Sequence, residues 1–358
     1  MRHLLDIFDL TTDDIYELIK KTEDIMNHPN YYLDACHGKI LGKLFFEPST
    51  RTCNSFESAI QSLGGGVVGF SDPNNSSVVK GECLIDTVRT VSSYSDVIVI
   101  RHPQEGAPKV ASQVSVCPVI NAGDGGHHHP SQTLTDLFTI YKEKGGFDGL
   151  TIGLCGDLKY GRTVHSLISG LSRYKNIKLV LISPNELKVP EYEKKEVMDK
   201  SWMKYVETTS LEEAIPELDV LYMTRIQRER FSDEKIYERL KDSYILNKEK
   251  LNSAKNDMIV MHPLPRVNEI SLDVDDDRRA KYFDQVRNGR YVRMALIMKL
   301  LSDADVPDKK QDESSFRHDL KCNNPRCISY TEKDIKSAFR ITDNGRCRCI
   351  YCDKEVAV

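Results

Sequence analysis

Three groups of residues in this chain of 358 have the types and spacing to do chemistry. The first is Phe46-Glu47-Pro48-Ser49-Thr50-Arg51-Thr52, placed where a short apolar run hands over to an amphipathic segment. A helix start offers free N–H groups, and small hydroxyls with one Arg beside them make a cradle for a phosphate. The same residues also suit an ordinary Pro-initiated helix. The second group is a series of polar clusters, each following an apolar, strand-like run. They are Arg101-His102-Pro103-Gln104, His129-Pro130-Ser131-Gln132, Asp157 to Thr163 with Arg162, Thr224-Arg225-Ile226-Gln227, and His262-Pro263-Leu264-Pro265-Arg266. In open α/β sheets ligands bind beyond the carboxyl ends of the strands, so the repeated placement predicts one cleft rich in Arg, His, Gln and Thr. The third group is two close cysteine pairs, Cys322-x4-Cys327 and Cys349-x2-Cys352, with 21 residues between them. Each pair can grip one side of a tetrahedral ion, although the spacing lies slightly outside the common ribbon pattern.

Other motifs lead elsewhere. His127-His128-His129 invites a metal, but adjacent residues cannot all face one ion and no H-E-x-x-H spacing supports it, so none is expected there. Neither a Walker A pattern nor G-x-S-x-G occurs in the chain.

The elements that must position these groups alternate. Thr12 followed by Asp13-Asp14 reads as an N-cap, with Ile15, Leu18, Ile19, Thr22, Ile25 and Met26 at helical spacing after it. Residues 40–46 read as a buried strand, followed by a helix presenting Phe56, Ala59, Ile60 and Leu63. Val67–Phe70 opens the next strand. Further strands fit Val97–Ile100, Val116–Ile120, Leu150–Cys155, Lys178–Ile182, Val220–Met223 and Met258–Met261. Strands alternating with helical patterns predict an α/β protein with two doubly wound parallel-sheet domains. Residues 134–141 form a helix bridging the two halves, and 287–302 form a closing helix. The boundaries expected are 1–130 with 283–303 for one domain, 131–282 for the other, a polar linker at 304–320 and a small β-rich domain at 321–358.

Composition narrows the class. Hydrophobic residues at 40% and charged residues at 29% give a soluble globular balance. Fifty Lys and Arg against fifty-four Asp and Glu leave a formal charge of −4, which argues against nucleic acid or an anionic membrane as partner. The N-terminus lacks the apolar core of a signal peptide and no run is long enough to span a bilayer, so a cytoplasmic location is expected. In that reducing setting the clustered cysteines point to metal rather than disulfides, and fewer than 40 residues need such a staple to fold.

On these motifs the first 303 residues resemble the carbamoyltransferase family, in its aspartate branch. Phe46–Thr52 is similar to the family's carbamoyl phosphate signature, and the clusters at 129–132, 162, 224–227 and 262–265 follow in the family's order. The tail resembles the zinc domain of that enzyme's regulatory chain. The resemblance implies transfer of a carbamoyl group from carbamoyl phosphate to the α-amine of aspartate, without a metal or organic cofactor in the reaction. It implies that Ser49, Thr50, Arg51 and Thr52 hold the phosphate, and that Thr52, Arg101 and His129 meet the carbamoyl oxygen. Gln132 and the backbone of Leu264 and Pro265 would hold its NH2 group, and Arg162, Arg225 and Gln227 the aspartate carboxylates, with Lys80 also binding aspartate. Residues 72–82 match a loop that completes a neighbouring subunit's site, with Ser76 and Lys80 at the contacting positions and Val79 where a second lysine often stands. The resemblance therefore implies a homotrimer or multiples of it. It implies one structural zinc per chain, on Cys322, Cys327, Cys349 and Cys352, with Cys347 unliganded. The tail would join catalytic chains to each other or to a separate nucleotide-binding protein.

Two rival readings remain in view. An ornithine-using relative would have to bind a side-chain ammonium, which Arg225 would repel, whereas Arg225 with Gln227 suits a carboxylate. A non-catalytic scaffold should have lost some cleft residues, and this chain keeps every one named above.

Overall fold

In the computed structural model, which describes residues 2–226, 228, 234–305, 316–342 and 345–356, the run at 40–46 becomes β1 (Ile40–Phe45). It pairs in parallel with β2 (Gly66–Phe70) on one side and β3 (Val97–His102) on the other. β4 (Val119–Asp124) completes a four-stranded sheet ordered β2-β1-β3-β4. Ile98 and Ile100, on one face of β3, are fully buried, as are Val97 and Val99 on the other. That two-sided burial is why parallel strands read as unbroken apolar runs. The helices α1 (Thr12–Asn27), α2 (Thr50–Ser62), α3 (Leu84–Ser92) and α4 (Ala107–Val114) belong to this half.

Two local expectations change. The N-cap of α1 is Thr11, not Thr12: its Oγ1 accepts the Asp14 N–H at 3.1 Å, and the Asp14 carboxylate accepts the Thr11 N–H at 2.9 Å. A reciprocal capping box needs its acid three residues after the cap, which Thr11 has and Thr12 does not. β4 begins at Val119 rather than Val116, and Val116 is exposed because the chain reaches the sheet only after Pro118. The shift carries the strand on to Asp124, close to His127–His129.

The second sheet has five parallel strands in the order β7-β6-β5-β8-β9. They are β5 (Thr151–Cys155), β6 (Lys178–Ile182), β7 (Lys204–Thr208), β8 (Val220–Met223) and β9 (Ile259–Met261). β7 is the strand the sequence reading missed. It is an edge strand with three of five residues exposed, so it lacks the apolar run that marks its neighbours. The helices α5 (Pro130–Lys144) and α6 (Arg162–Leu171) flank the loops that carry the polar clusters.

The third sheet is small and antiparallel, built from β10 (Phe339–Ile341), β11 (Cys347–Cys349) and β12 (Glu355–Val356). Arg317 exchanges backbone hydrogen bonds of 2.8 and 2.9 Å with Phe339, inside the stretch read as linker. The chain forms two compact units, Met1–Ser131 with Arg290–Val358, and Gln132–Gly289. The C-terminal domain thus belongs to the first unit. Ile328, Phe339, Tyr351 and the cysteines share one buried cluster with Leu44, Ile98, Ile100, Val110 and Val119. Among the described residues no helix is long and apolar enough to cross a membrane.

Candidate active site and metal centre

In the first unit the phosphate-type cradle forms where β1 meets α2. Cys53 N–H donates to the Ser49 carbonyl at 3.0 Å as the first bond of the helix, so the amides of Thr50, Arg51 and Thr52 stand outside its ladder. Ser49 is the N-cap, yet its side chain makes no capping bond. Thr52 is buried, whereas Thr50 and Arg51 are exposed. Arg101, at the end of β3, pairs with Glu47 at 3.0 Å and donates to the Ala122 carbonyl at 3.3 Å. Phe46 N–H donates to the Arg101 carbonyl at 2.8 Å, tying the cradle to β3. His129 is buried at the head of α5, with its Nδ1 3.4 Å from Ser131 Oγ. The unit therefore holds Ser49, Thr50, Arg51, Thr52, Arg101 and His129 on the carboxyl-end loops of β1, β3 and β4.

Beside Arg101, burial pushes the His102 pKa down to about 4, and its Nδ1 accepts the Gln104 N–H at 3.1 Å. The ring is neutral at pH 7 and packs on Phe46, with centroids 4.7 Å apart.

The loop with Ser76 and Lys80 forms two short 3-10 turns, Pro73–Asn75 and Ser77–Lys80. Ser76 Oγ donates to the Pro73 carbonyl at 2.7 Å and accepts the Val78 N–H at 3.3 Å. Val79 and Lys80 are exposed.

In the second unit Gln132 Nε2 donates to Asp136 at 2.8 Å. Asp136 is fully buried and also accepts from Tyr222 Oη at 2.9 Å and Gln285 Nε2 at 2.6 Å. The Gln132 side chain is thereby oriented by a carboxylate that is itself held on three sides. Arg162 opens α6, after a turn in which Asp157 accepts the Lys159 and Tyr160 amides at 3.1 and 2.9 Å. Thr224 Oγ1 donates to the Cys155 carbonyl at 3.0 Å, fixing the chain just before the half-buried Arg225. Gly156, at φ +121°, lies against that turn, and a Cβ there would meet the Thr224 carbonyl oxygen at 2.2 Å. Gln227 lies outside the described residues.

Leu264 adopts a left-handed φ of 51° ahead of a cis bond to Pro265. A branched residue in that region is strained, which marks the segment as a candidate site. Its amide donates to His262 Nδ1 at 2.8 Å, while His262 Nε2 bonds Glu269 at 2.8 Å. Burial opposes the charge on Glu269, but His262 and the backbone amides, Val267 among them, together outweigh it and lower the pKa.

Cys322, Cys327, Cys349 and Cys352 are all buried and bring their sulfurs within 4.8 Å of one another. Sulfurs of Cys322 and Cys352 are 3.6 Å apart, and those of Cys327 and Cys349 are 3.8 Å apart. Tetrahedral zinc with Zn–S bonds near 2.3 Å places its sulfurs about 3.8 Å apart, so this donor set fits. Hydrogen bonding from Cys322, then Cys349 and Cys352, holds the Cys327 thiol far below the ordinary range. Cys347 is fully buried on β11 but stands outside the group of four.

The structure also brings together what sequence spacing kept apart. His127 and His128 do share a neighbourhood, with Asp353 of the C-terminal domain. His127 Nε2 lies 3.0 Å from Asp353 Oδ2, and His127 Nδ1 lies 3.0 Å from buried Asp124. Burial disfavours the imidazolium, but Asp124 and Asp353 outweigh it and raise the His127 pKa well above its ordinary value. The two rings are only 3.7 Å apart, whereas two imidazoles on one tetrahedral ion would sit at about 5 Å. This is an ion-pair network. Asp136 was legible as an i+4 partner of Gln132 on one helix. Glu105 and Asp353 carried no local signal, because Asn324, Arg326 and His127 are distant from them in sequence.

Comparison with known proteins gives family matches over three stretches of the chain. Residues 2–142 match the carbamoyl-P binding domain of aspartate/ornithine carbamoyltransferase, and residues 148–300 match its Asp/Orn binding domain. Residues 316–357 match the metal binding domain of the aspartate carbamoyltransferase regulatory chain. The aspartate carbamoyltransferase catalytic subunit of Clostridium acetobutylicum is 62% identical over 300 residues, covering 84% of this chain and 98% of its own length. The solved catalytic subunit of M. jannaschii aspartate transcarbamoylase is 46% identical with a TM-score of 0.79, covering 86% of this chain and all of its own. The Trypanosoma cruzi enzyme, solved with carbamoyl phosphate and aspartate, is 40% identical with a TM-score of 0.79, covering 84% and 96%. The chain belongs to the aspartate/ornithine carbamoyltransferase family. Within it, a catalytic chain of the aspartate kind is joined on one polypeptide to a regulatory-type metal-binding domain, and aspartate carbamoyl transfer is its activity.

Proposed function

We propose that the two units divide the substrates of this reaction between them. The first binds carbamoyl phosphate, with the amides at the start of α2 and the side chains of Ser49, Thr50, Arg51 and Thr52 on the phosphate. Thr52, Arg101 and His129 stabilise the oxyanion that forms when the neutral α-amine of aspartate attacks the carbamoyl carbon. Phosphate then leaves, and Arg51 offsets its charge. Because the leaving group is already activated, positioning and oxyanion stabilisation suffice. Gln132 and the backbone of Leu264 and Pro265 hold the carbamoyl NH2, and Arg162, Arg225 and Gln227 receive the carboxylates of aspartate. Ser76 and Lys80 serve the site of a neighbouring subunit in a homotrimer. One structural zinc per chain is held by Cys322, Cys327, Cys349 and Cys352.

What supports this reading is the placement of Thr52, Arg101 and His129 after or at the carboxyl ends of β1, β3 and β4 of one sheet, with Thr52 in the amide cradle. An Arg225→Ala variant tests the substrate assignment. A lost charge-assisted contact costs about 1.5–3 kcal/mol, so aspartate KM should rise about 10- to 150-fold with carbamoyl phosphate binding intact. Near-normal aspartate kinetics, or citrulline formation from ornithine in the parent chain, would overturn it. Arg51→Ala and Lys80→Ala chains, each inactive alone, should regain activity when refolded together, and mixed trimers without activity would refute the shared site.

A further inference from the structure

Two segments of the first unit, one after β3 and one after β4, are held by the C-terminal domain of the same chain. After β3, Glu105 is buried and accepts from Asn324 Nδ2 at 2.6 Å, while its other oxygen pairs with Arg326 Nε at 3.1 Å. Its backbone is bridged in both directions, N–H to the Arg326 carbonyl at 2.8 Å and carbonyl from the Ile328 N–H at 3.0 Å. At the next position, Gly106, a Cβ would meet Tyr351 Cβ at 2.4 Å, so the two backbones are in close approach. After β4, Asp353 Oδ2 bonds His127 Nε2, and His127 Nδ1 bonds Asp124. Asp124 in turn accepts the amides of His128 at 2.9 Å and Gly106 at 2.8 Å, which joins the two segments. Arg340 holds the second Asp353 oxygen at 2.9 Å.

These anchors sit four residues from Arg101 and two residues from His129. A buried carboxylate with this many partners constrains its surroundings, because loosening it leaves charge unpaired. We propose that the docked C-terminal domain positions Arg101 and His129 of its own chain, with Asp353 as the positioning residue acting through His127 and Asp124. This rests on the reading above that Arg101 and His129 meet the carbamoyl oxygen. Small displacements of such groups are expensive: about 1 Å can cost 100-fold in rate.

The test uses the full-length chain with its metal. Asp353→Ala should lower kcat about tenfold or more, leave aspartate KM within about twofold and keep the parent chain's metal content. Asp353→Glu should restore part of the rate. His127→Ala should give the same loss, and the double variant should be no worse than either single one. Should Asp353→Ala lose metal, His127→Ala carries the same test, because it alters no residue of the C-terminal domain. Parent-like kcat in a folded, metal-replete Asp353→Ala or His127→Ala chain overturns the proposal, as does strict additivity in the double variant. Arg101→Ala and His129→Ala, assayed alongside, separate the two readings. If they abolish turnover while Asp353→Ala does not, the positioning fails; if they too are fully active, the site assignment fails.

Discussion

Glu105 and Asn324, 219 residues apart in the chain, share a 2.6 Å hydrogen bond in which a buried carboxylate accepts from a buried amide. Asn324 lies between Cys322 and Cys327, and its Oδ1 accepts the Arg326 N–H at 3.1 Å. One side chain therefore shapes the loop between two cysteines of the buried quartet and fastens that loop to the first sheet. Asn324→Ala should destabilise the docked domain by about 1.5–3 kcal/mol, the usual worth of a hydrogen bond to a charged group. Urea unfolding followed by metal release would measure it, and a change under 0.5 kcal/mol would contradict it.

Asp136 supports a second prediction. It ties Gln132 on α5 to Tyr222 on β8 and to Gln285. Asp136→Ala should cost about 3–5 kcal/mol, whereas Tyr222→Phe, which removes a single donor, should cost about 1–2 kcal/mol. Thermal unfolding of both variants checks the ratio, and equal losses would count against a shared network.

Acid behaviour follows from His102. Its folded pKa of about 4 lies below the unfolded value of 6.5, so the unfolded chain takes up the proton first. Its contribution is complete above pH 6.5 and drains away as pH falls from 6.5 towards 4. The loss is about 3 kcal/mol from this one ring. His102→Asn keeps an acceptor for the Gln104 amide and should flatten stability across that window. Parallel acid curves for the parent and the variant would refute the assignment.

Legibility in the sequence depended on how local each signal was. β1, β3, β6 and β8 announced themselves as apolar runs, because both faces of a parallel strand are buried. β7 did not, since an edge strand exposes Lys204, Val206 and Glu207. The phosphate-type cradle was readable because seven consecutive residues build it, and the cysteine quartet because the ligands come in close pairs. The Glu105–Asn324 and His127–Asp353 contacts were invisible, because each joins segments more than 200 residues apart and depends on how the tail docks. The company His127 and His128 keep was hidden for the same reason. Carboxylates from three different segments, Asp6, Asp124 and Asp353, surround the two rings.

The last prediction concerns the metal. The sulfurs of Cys322, Cys327, Cys349 and Cys352 already stand at the spacing a tetrahedral ion requires, and the domain's apolar residues do not form a core of their own. They complete one shared with Ile98 and Ile100 of β3 and Val110 and Ala111 of α4. Four thiols packed this closely call for a cation, and a segment this small depends on such a staple to stay folded. Stripping the metal with a mercurial should therefore do more than unfold the tail. It should uncover one side of the first sheet, so that amides of residues 97–102 and 107–114 exchange faster, while those of β5 and β6 in the other unit keep their protection. Cys349→Ser should abolish stoichiometric zinc. Cys347→Ser, two residues away but outside the quartet, should retain about one zinc per chain. Hydrogen exchange with and without the mercurial, paired with metal analysis of the two variants, decides the matter. Unchanged protection over β3 would separate the tail from the first unit, and zinc loss in Cys347→Ser alone would reassign the ligand.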